Sequence, residues 1–483
     1  MTGISILSLP YFSTALYGGG AQGDGVTDDT SAIQATINAV PSSGGIVMLI
    51  GVAGTTFLVS NTITVPNYVR VYGLGIGTTT VLASAAFAGA AVFTITSGSY
   101  TGIFDMLVRA NSSTYSSNSA FTGVTMTGDA DTRLANLELD FFNSFGLISQ
   151  ATSSLGEQKI ILENVKAHDS AQGFHLLGNS GSGGVGLHEL INCNASGTQN
   201  GDCYLIEDIH DILMVNSLGE CTAGTGAALH VKGAVGAVTC TNCDFGPSPG
   251  PMSGSVIQIS SGPNGSPSNV TILGGIIEGG TYGVSVNSGV YITIIGTRIF
   301  NNNLAGVSIA DPAQAHIIGC NFNQNGSVAG SGRYDLVNTS LHPVYVSQNR
   351  FDTPQGSGAN QVNAAISDIG GTGLGYYHGN FHNGANGWTA TNIYAGGTSP
   401  YQSSSMQGVP SVGNITAPTF TGSPQTNTKA FFCGVYVSGG TVSEIDVGGV
   451  NTGRTNGFFF LPPHVSITVT YTVAPTWVWY QIL

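Results

Sequence analysis

This chain has little charge, and its charge is unbalanced. Of its 483 residues 7% are charged, and 11 Lys and Arg stand against 25 Asp and Glu. The net charge is therefore −14 at pH 7 and the isoelectric point is near 4.8. Nucleic acids are bound by clustered Lys and Arg, so this composition argues against a nucleic acid partner. An acidic protein also favours a neutral polymer over an acidic one as its ligand.

Long apolar runs and a cationic leader are missing as well. A membrane-crossing helix needs about 18 consecutive apolar residues, and the sequence has no such run, so we expect no membrane insertion. No basic residue precedes Arg70, so the beginning of the sequence does not read as a secretory signal.

Cysteine is scarce, with seven residues, and an odd number without a signal argues against a disulfide framework. Cys240 and Cys243 form a CxxC pair, but no second pair follows at the spacing of a zinc site. We therefore predict no metal and no cofactor. Three cysteines each follow a repeated turn position directly, and we expect small, buried, stacked side chains there, at Cys193, Cys243 and Cys320.

A repeat dominates what is present. From Val270 to Asn325 the same unit recurs: a short β-rich run that ends at Gly, an apolar step, and a polar corner. A matching corner residue recurs at intervals of 22 to 32 residues on both sides of this stretch. We place these corner residues at Asn136, Asn164, Asn192, Asn216, Asn242, Gly274, Gly296, Gly319, Gln348 and His378.

Such a period is typical of a solenoid, and short β-branched runs between turns make it a β-helix. Strands of neighbouring coils lie about 4.8 Å apart, so roughly a dozen coils would form a rod on the order of 55 Å long. We expect the corner asparagines to stack and to satisfy backbone groups. Side chains alternate along each strand, so every second residue faces outward, where a ligand would be met.

The N-terminal region carries a more specific signal. Glycines from Gly18 to Gly25 predict a tight turn, Asp28, Asp29 or Thr30 can cap a helix, and apolar residues follow at helical spacing to Val40. The string GAQGDGVTDDTSAIQATI closely resembles the N-terminal signature of the pectate-lyase-like right-handed β-helix superfamily. This superfamily includes polygalacturonases and bacteriophage tailspikes. The resemblance implies that the helix caps the rod and that the Asp pair is structural.

We therefore predict an all-β chain: a right-handed parallel β-helix (solenoid) with an N-terminal capping α-helix and a small C-terminal β-domain. The expected segments are a capping region at residues 1–40, the β-helix at 41–385, a linker at 386–424 and the C-terminal domain at 425–483. The last segment resembles C-terminal modules of phage structural proteins. Its Trp477 and Trp479 are two residues apart, so they share one face of a strand, which suits a core or a subunit contact.

Carboxylates are enriched between residues 138 and 220, although the chain otherwise avoids charge. Glycosidic cleavage commonly uses two carboxylates, and β-elimination needs a base with stabilising donors. Equivalent positions of neighbouring coils are one strand spacing apart, so acids from different coils can pair. The predicted catalytic acids and bases are Asp169, Asp202, Glu207 and Glu220, and the predicted sugar contacts are His175, Tyr204 and His230. We expect neighbours of one of these carboxylates, with Asp202 best suited, to raise its pKa.

Three successive strands, AQGFHLLG, GDCYLIED and GTGAALHVKG, are similar in register to strands of polygalacturonases. Asp202 alone matches the family's catalytic acids, Thr225 stands where the family has a His, and an Arg-Ile-Lys element is missing. The comparison supports the coil register and argues against polygalacturonase chemistry.

Three functions stay open on the sequence. The first is a phage tailspike-like protein that binds a host surface polysaccharide and either cleaves it or does not. The second is a non-catalytic virion appendage or decoration protein of the same fold. The third is a cellular polysaccharide lyase or glycoside hydrolase, which would be extracellular. The first two imply a virion location, a homotrimer and contacts with other virion proteins, because tailspike relatives associate as threefold bundles and cyclic symmetry closes such an interface.

Overall fold

A computed structural model gives the structure of the chain. It describes residues 10–96, 99–128, 131–151, 159–178, 187–198, 201–222, 224, 226–247, 252–310, 312–326, 334–352, 365–368, 375–382, 394–395, 414–415, 423–428 and 432–481.

One α-helix, a short 3-10 helix at Tyr115–Ser117 and 46 β-strands make up the regular structure of these residues. In chain order they are β1 (Tyr11–Ser13), β2 (Asp24–Asp28), α1 (Thr30–Asn38), β3 (Gly45–Met48), β4 (Thr56–Val59), β5 (Ile63–Val65), β6 (Val69–Tyr72), β7 (Thr80–Ala83), β8 (Ala91–Thr96), β9 (Gly102–Arg109), β10 (Thr122–Thr127), β11 (Thr132–Asp140), β12 (Phe145–Gln150), β13 (Ile160–His168), β14 (Gln172–Leu177), β15 (His188–Ile191), β16 (Asn194–Thr198), β17 (Tyr204–Glu207), β18 (His210–Val215), β19 (Leu218–Cys221), β20 (Leu229–Lys232), β21 (Gly236–Thr241), β22 (Asp244–Pro247), β23 (Ser255–Ser260), β24 (Ser268–Leu273), β25 (Ile276–Glu278), β26 (Tyr282–Val286), β27 (Ile292–Ile295), β28 (Arg298–Phe300), β29 (Ala305–Ile309), β30 (Ala315–Ile318), β31 (Asn321–Asn323), β32 (Tyr334–Asn338), β33 (Val344–Ser347), β34 (Arg350–Phe351), β35 (Ile366–Asp368), β36 (Gly375–His378), β37 (Phe381–His382), β38 (Tyr394–Ala395), β39 (Asn414–Ile415), β40 (Gln425–Thr426), β41 (Cys433–Ser438), β42 (Thr441–Val447), β43 (Val450–Asn451), β44 (Gly457–Leu461), β45 (Ser466–Val473) and β46 (Thr476–Gln481).

Strands β1 to β38 wind into a parallel β-helix, as the repeat predicts. Sheet A has 25 strands and sheet B has 13, and each pairing runs parallel from one coil to the next. A typical coil gives sheet A two strands separated by a corner, such as β18 and β19, and then gives sheet B one strand, β20. The all-β solenoid fold predicted from the sequence is therefore confirmed.

The corner within sheet A is built by the predicted residues. Asn136, Asn164 and Asn192 each have a positive φ, and their amides form a ladder. Asn192 Nδ2 donates to Asn164 Oδ1 at 3.2 Å, and Asn164 Nδ2 donates to Asn136 Oδ1 at 3.0 Å. The stacking is confirmed, but these amides bond to one another rather than to the backbone. At the last predicted corner, His378, the positive φ belongs instead to the next residue, Gly379.

The space between the sheets is filled by inward side chains. Phe174, Tyr204 and Phe245 are fully buried there, with the first two rings stacked at 5.0 Å. The residue after each corner also points inward, and Cys193, Cys243 and Cys320 are 1%, 3% and 1% exposed. Cys193 Sγ donates to the Leu162 carbonyl of the preceding coil at 3.4 Å. The predicted role of these cysteines as small stacked core residues is confirmed.

Helix α1 packs against the start of the rod. Its buried residues are Ala32, Ile33, Thr36 and Ile37, and the three apolar ones contribute to the core that fills the coils. Asp29 precedes the helix, but its carboxylate accepts from the Gln22 and Gly23 amides at 2.7 and 3.0 Å and so holds the glycine-rich turn. Asp28 accepts from the Thr30 amide at 3.0 Å in the turn before the helix, and no side chain caps the helix itself. The Asp pair therefore serves structure, as the resemblance implies.

Strands extend into the expected linker, residues 386–424, from both sides. Strand β38, at Tyr394–Ala395, still pairs in sheet B beyond residue 385. Strand β39, at Asn414–Ile415, already pairs with β46 of the C-terminal domain before residue 425. The remaining residues between them lie outside the described part of the chain.

The C-terminal domain has two antiparallel four-stranded sheets around its own core. Trp479 is 3% exposed and Trp477 packs against the same core, so these residues form core rather than surface. The exposed aromatic residues of this domain lie elsewhere, at Phe432, Tyr436, Phe458 and Phe460.

Among the residues that the structure describes, no helix has the length and apolar character needed to cross a membrane. Within the same residues, no group of three or more His, Cys, Asp or Glu side chains is arranged to hold a metal ion.

Candidate functional site

A column of outward positions runs along the strand after the corner in sheet A. It lies four residues after the corner of each coil from β9 onward, where Asp105 is the corner residue. Strand pairing aligns these positions along the rod, and the Glu278 side chain lies over the position before it, Gly246. The polar column consists of Arg109, Asp140, His168, Ser196, Glu220, Gly246, Glu278, Phe300 and Asn323. Nine positions at about 4.8 Å per coil extend about 38 Å along the rod, which suits a linear polymer.

Two carboxylates of the polar column flank a glycine. Glu220 pairs in register with Gly246, and Glu278 lies one coil further on. The backbones under the two acids are therefore about 9.6 Å apart, which is two strand spacings. Gly246 has no side chain, so the coil between the two acids places no side chain between them. A third carboxylate, Asp244, lies two residues before Gly246 on the same strand.

The surroundings raise the pKa of all three acids. Burial raises the pKa of Glu220 and of Glu278, and the negative charge of Asp244 raises both further. Arg298 opposes the rise at Glu278, and His168 opposes it at Glu220. Burial also raises the pKa of Asp244. Carboxylates with raised pKa values that act on one another are the groups that general acid catalysis needs near neutral pH.

Asp140 is the most perturbed member of the polar column. It is 8% exposed, and its Oδ1 has no hydrogen-bond partner. Burial, with a contribution from Glu138, raises its pKa to about 7. Beside it, His168 Nδ1 lies 3.1 Å from Asp169 Oδ2. A carboxyl group in this state can donate a hydrogen bond to a sugar hydroxyl at neutral pH.

The other end of the polar column carries an aromatic surface. Phe300 follows Glu278 in register, is partly exposed, and has the Arg298 guanidinium 4.3 Å from its ring centre. An aromatic face beside a polar row can pack against the apolar face of a sugar ring while the cation binds hydroxyl groups.

A second group of polar side chains lies outward on sheet B. Strands β14, β17 and β20 are aligned in register, as their similarity to polygalacturonase strands implies. His230 Nδ1 lies 3.0 Å from Asp202 Oδ2, and His230 Nε2 lies 3.0 Å from Ser260 Oγ. Asp202 Oδ1 accepts from the Ala227 amide at 2.7 Å. The three side chains therefore form one hydrogen-bonded chain across three coils.

Glu207 joins two further residues on the same face. Lys232 Nζ donates to Glu207 Oε1 at 2.6 Å. His175 Nε2 lies 3.3 Å from Glu207 Oε2, but the approach is not aligned and Nε2 has no hydrogen-bond partner. Burial lowers the pKa of His175, and Glu207 opposes this effect. His175 therefore tends toward the neutral form beside an ion pair.

The structure divides the predicted site residues between two sheets. Glu220 belongs to the polar column and Asp169 lies beside it, whereas Asp202, Glu207, His175 and His230 lie on sheet B. Both histidines face outward as expected, with side chains 13% and 15% exposed. Both carboxylate oxygens of Asp202 have hydrogen-bond partners, the Ala227 amide and His230, so the surroundings of this carboxylate are polar.

Tyr204 does not fit its predicted role as a sugar contact. It is 1% exposed, its ring stacks on Phe174, and its hydroxyl donates to the Leu218 carbonyl at 3.0 Å. The register explains the difference, because Tyr204 pairs with the inward Phe174.

Sequence reasoning missed Asp140, Asp244, Glu278 and Ser260. Asp140, Glu220 and Glu278 share one offset of four residues from Asn136, Asn216 and Gly274. Applying that offset to every coil would have found the polar column. The sequence offers no comparable signal for Ser260, since its contact depends on the rotamer of His230.

Comparisons with known proteins agree with the fold. Residues 18–182 match the family described as "Rhamnogalacturonase A/epimerase, pectate lyase-like". The A-module of the Azotobacter vinelandii mannuronan C-5 epimerase AlgE6 is 19% identical with a TM-score of 0.55, and the match covers 80% of this chain and 98% of that one. The AlgE4 A-module of the same organism gives 18% and 0.51 over 77% and 95%.

The Dettilon tailspike protein gp208 is 14% identical with a TM-score of 0.50, over 98% of this chain and 94% of that one. None of the curated protein sequences matches this chain. The chain therefore has the parallel β-helix fold of these structures, and its residues 18–182 are similar to the pectate-lyase-like family.

Proposed function

We propose that this chain is a tailspike-like protein that binds a cell-surface polysaccharide along the polar column and hydrolyses its glycosidic bonds there. One observation carries the proposal: Glu220 and Glu278 flank Gly246, and burial together with Asp244 raises the pKa of both acids. Two neighbouring carboxyl groups, one acting as acid and one as base, are what glycoside hydrolysis needs.

The two acids have different roles in this proposal. Glu220 is the general acid and protonates the glycosidic oxygen, because it lies beside Asp244 and partly withdrawn from water. Glu278 is the general base, because the Arg298 cation favours its charged form. It takes a proton from a water molecule between the two carboxyl groups, and that water attacks the anomeric carbon from the opposite face. Carboxyl groups about 6.5–9.5 Å apart leave room for such a water and give inversion at the anomeric carbon.

The rest of the polar column binds the polymer on either side. Phe300 and Arg298 offer a sugar-ring contact beyond Glu278, and Asp140, His168 and Ser196 offer hydrogen bonds before Glu220. The acidic surface favours a neutral glycan. In this role the chain is part of a virion and forms a homotrimer, consistent with the rod-shaped fold that it shares with the Dettilon tailspike.

A panel of capsular and cell-wall glycans tests the proposal. Hydrolysis releases new reducing ends without the ultraviolet absorbance of unsaturated sugars. Unsaturated products would instead make the chain a lyase. Retention of a glycan without any product would favour the non-catalytic appendage and overturn the hydrolytic proposal.

A further inference from the structure

The hydrogen-bonded chain of Asp202, His230 and Ser260 has the connectivity of a serine hydrolase. An aspartate anion accepts from Nδ1–H of a histidine and fixes its tautomer, and the lone pair of Nε2 then faces a serine hydroxyl. Here the two links are each 3.0 Å long. Both values lie within the 2.6–3.2 Å reach expected of a nucleophile and its base.

The fold holds these three groups in place. Asp202 precedes β17, His230 lies in β20 and Ser260 ends β23, so they come from three successive coils of one parallel sheet. The Ala227 amide orients Asp202. The side chains of Asp202 and His230 are 16% and 15% exposed, so water weakens their interaction little. His230 and Ser260 lie on strands, which position side chains better than loops do.

We propose that Ser260, His230 and Asp202 hydrolyse short O-acyl esters on a glycan, as an activity separate from glycosidic cleavage. Ser260 Oγ attacks the acyl carbonyl carbon while His230 Nε2 takes the hydroxyl proton. The tetrahedral intermediate expels the sugar oxygen, which receives that proton, and leaves an acyl-serine. Water then attacks the acyl-serine, His230 accepts and returns the proton, and the acid leaves with Ser260 restored.

The surroundings favour a small acyl group on a hydrated polymer. Lys232 is in register with Ser260, and its side chain is 34% exposed. Its ammonium, which pairs with Glu207, offers a positive charge near the oxyanion. Glu207 and His175 lie on the same face. Polar neighbours of this kind suit a sugar carrying an acetyl-sized group better than a long acyl chain, which would require an apolar channel.

Labelling and turnover test the proposal on the full chain. A fluorophosphonate probe should modify Ser260, as mapped by mass spectrometry of peptides, and 4-nitrophenyl acetate should be hydrolysed. Ser260→Ala should abolish the labelling and lower ester turnover by about a thousandfold or more, and Asp202→Asn should lower it by a similar factor. The matched control Ser255→Ala, on the same strand, should change neither.

Two outcomes would overturn the proposal: labelling of another residue or of none, and unchanged ester turnover in Ser260→Ala. Thermal unfolding of each variant verifies that the fold is intact. Reducing-end release from a cleaved glycan should be unaffected by Ser260→Ala, because the polar column lies on sheet A. Loss of one activity with retention of the other therefore separates failure of this proposal from failure of the hydrolase proposal.

Discussion

The side chain of Glu278 lies across Gly246, with its Cγ 3.1 Å from the point that a Cβ on Gly246 would occupy. The absence of a side chain at Gly246 thus sets both the position of Glu278 and the space between it and Glu220. Gly246 does not have a positive φ, so this glycine is required by space rather than by backbone conformation.

Gly246→Ala should therefore impair cleavage without unfolding the rod. The added methyl would press on Glu278 and narrow the space for the attacking water, and turnover should fall by about ten- to a hundredfold. Kinetics of reducing-end release would measure this. Thr239→Ala, an outward change on the same coil before the corner, should leave turnover intact. Equal turnover in Gly246→Ala and the parent would show that the space over Gly246 is not used.

The asparagine ladder predicts an ordering of two variants at Asn164. Both Asn164→Gly and Asn164→Ala lose the amide bonds to Asn136 and Asn192, which should cost about 1–2 kcal/mol. Alanine must also adopt the positive φ of 54° at this corner, which adds about 1 kcal/mol or more. Urea unfolding should rank the parent above Asn164→Gly and that variant above Asn164→Ala. The reverse order of the two variants would contradict the role of the corner conformation.

Asp335 predicts how stability depends on pH. It is 2% exposed, its carboxyl accepts from Asn325 Nδ2 at 2.8 Å, and burial raises its pKa from 3.8 to about 7. Between these pH values the folded chain binds more protons than the unfolded chain, so this residue's contribution to stability is lost as pH rises toward 7.

Asp335→Asn should remove that loss. Relative to the parent, the variant should gain stability between pH 4 and pH 8 by on the order of 1 to 4 kcal/mol, measured by denaturant unfolding at both pH values. Glu189→Gln, a change at an outward carboxylate on β15, is the comparison. An Asp335→Asn variant that follows the parent at both pH values would contradict the protonated state of Asp335.

The exposed aromatic residues of the C-terminal domain predict where the proposed trimer is held. Phe432, Tyr436, Phe458 and Phe460 are 50%, 44%, 40% and 62% exposed, and aromatic side chains are enriched at subunit interfaces. Light scattering should give a mass three times the 49.3 kDa of one chain. Phe460→Ser should lower this mass, and Val450→Ser, on the other sheet of the domain, should not. A parent mass near 49.3 kDa at micromolar concentration would contradict the trimer.

Much of the fold could be predicted because a solenoid repeats its local signals. The corner residues, one per coil, determine the register, and register determines which side chains share a column. Local enrichment of carboxylates identifies Glu220 but not Glu278, whereas the offset from each corner identifies both. The prediction for Tyr204 is wrong because its register partner Phe174 faces inward, so Tyr204 faces inward as well. The contact of His230 with Ser260 depends on side-chain rotamers across coils and has no periodic signature.

The most direct test of the hydrolase proposal is the turnover of Glu220→Gln and Glu278→Gln on a glycan that the parent cleaves. Each substitution keeps the shape of the side chain but removes the acid or base, so each should lower turnover by at least about a hundredfold. Glu189→Gln, an outward change on β15 before the corner, should retain parent turnover with the fold intact. Full turnover in both Glu220→Gln and Glu278→Gln would contradict the assignment of cleavage to the polar column.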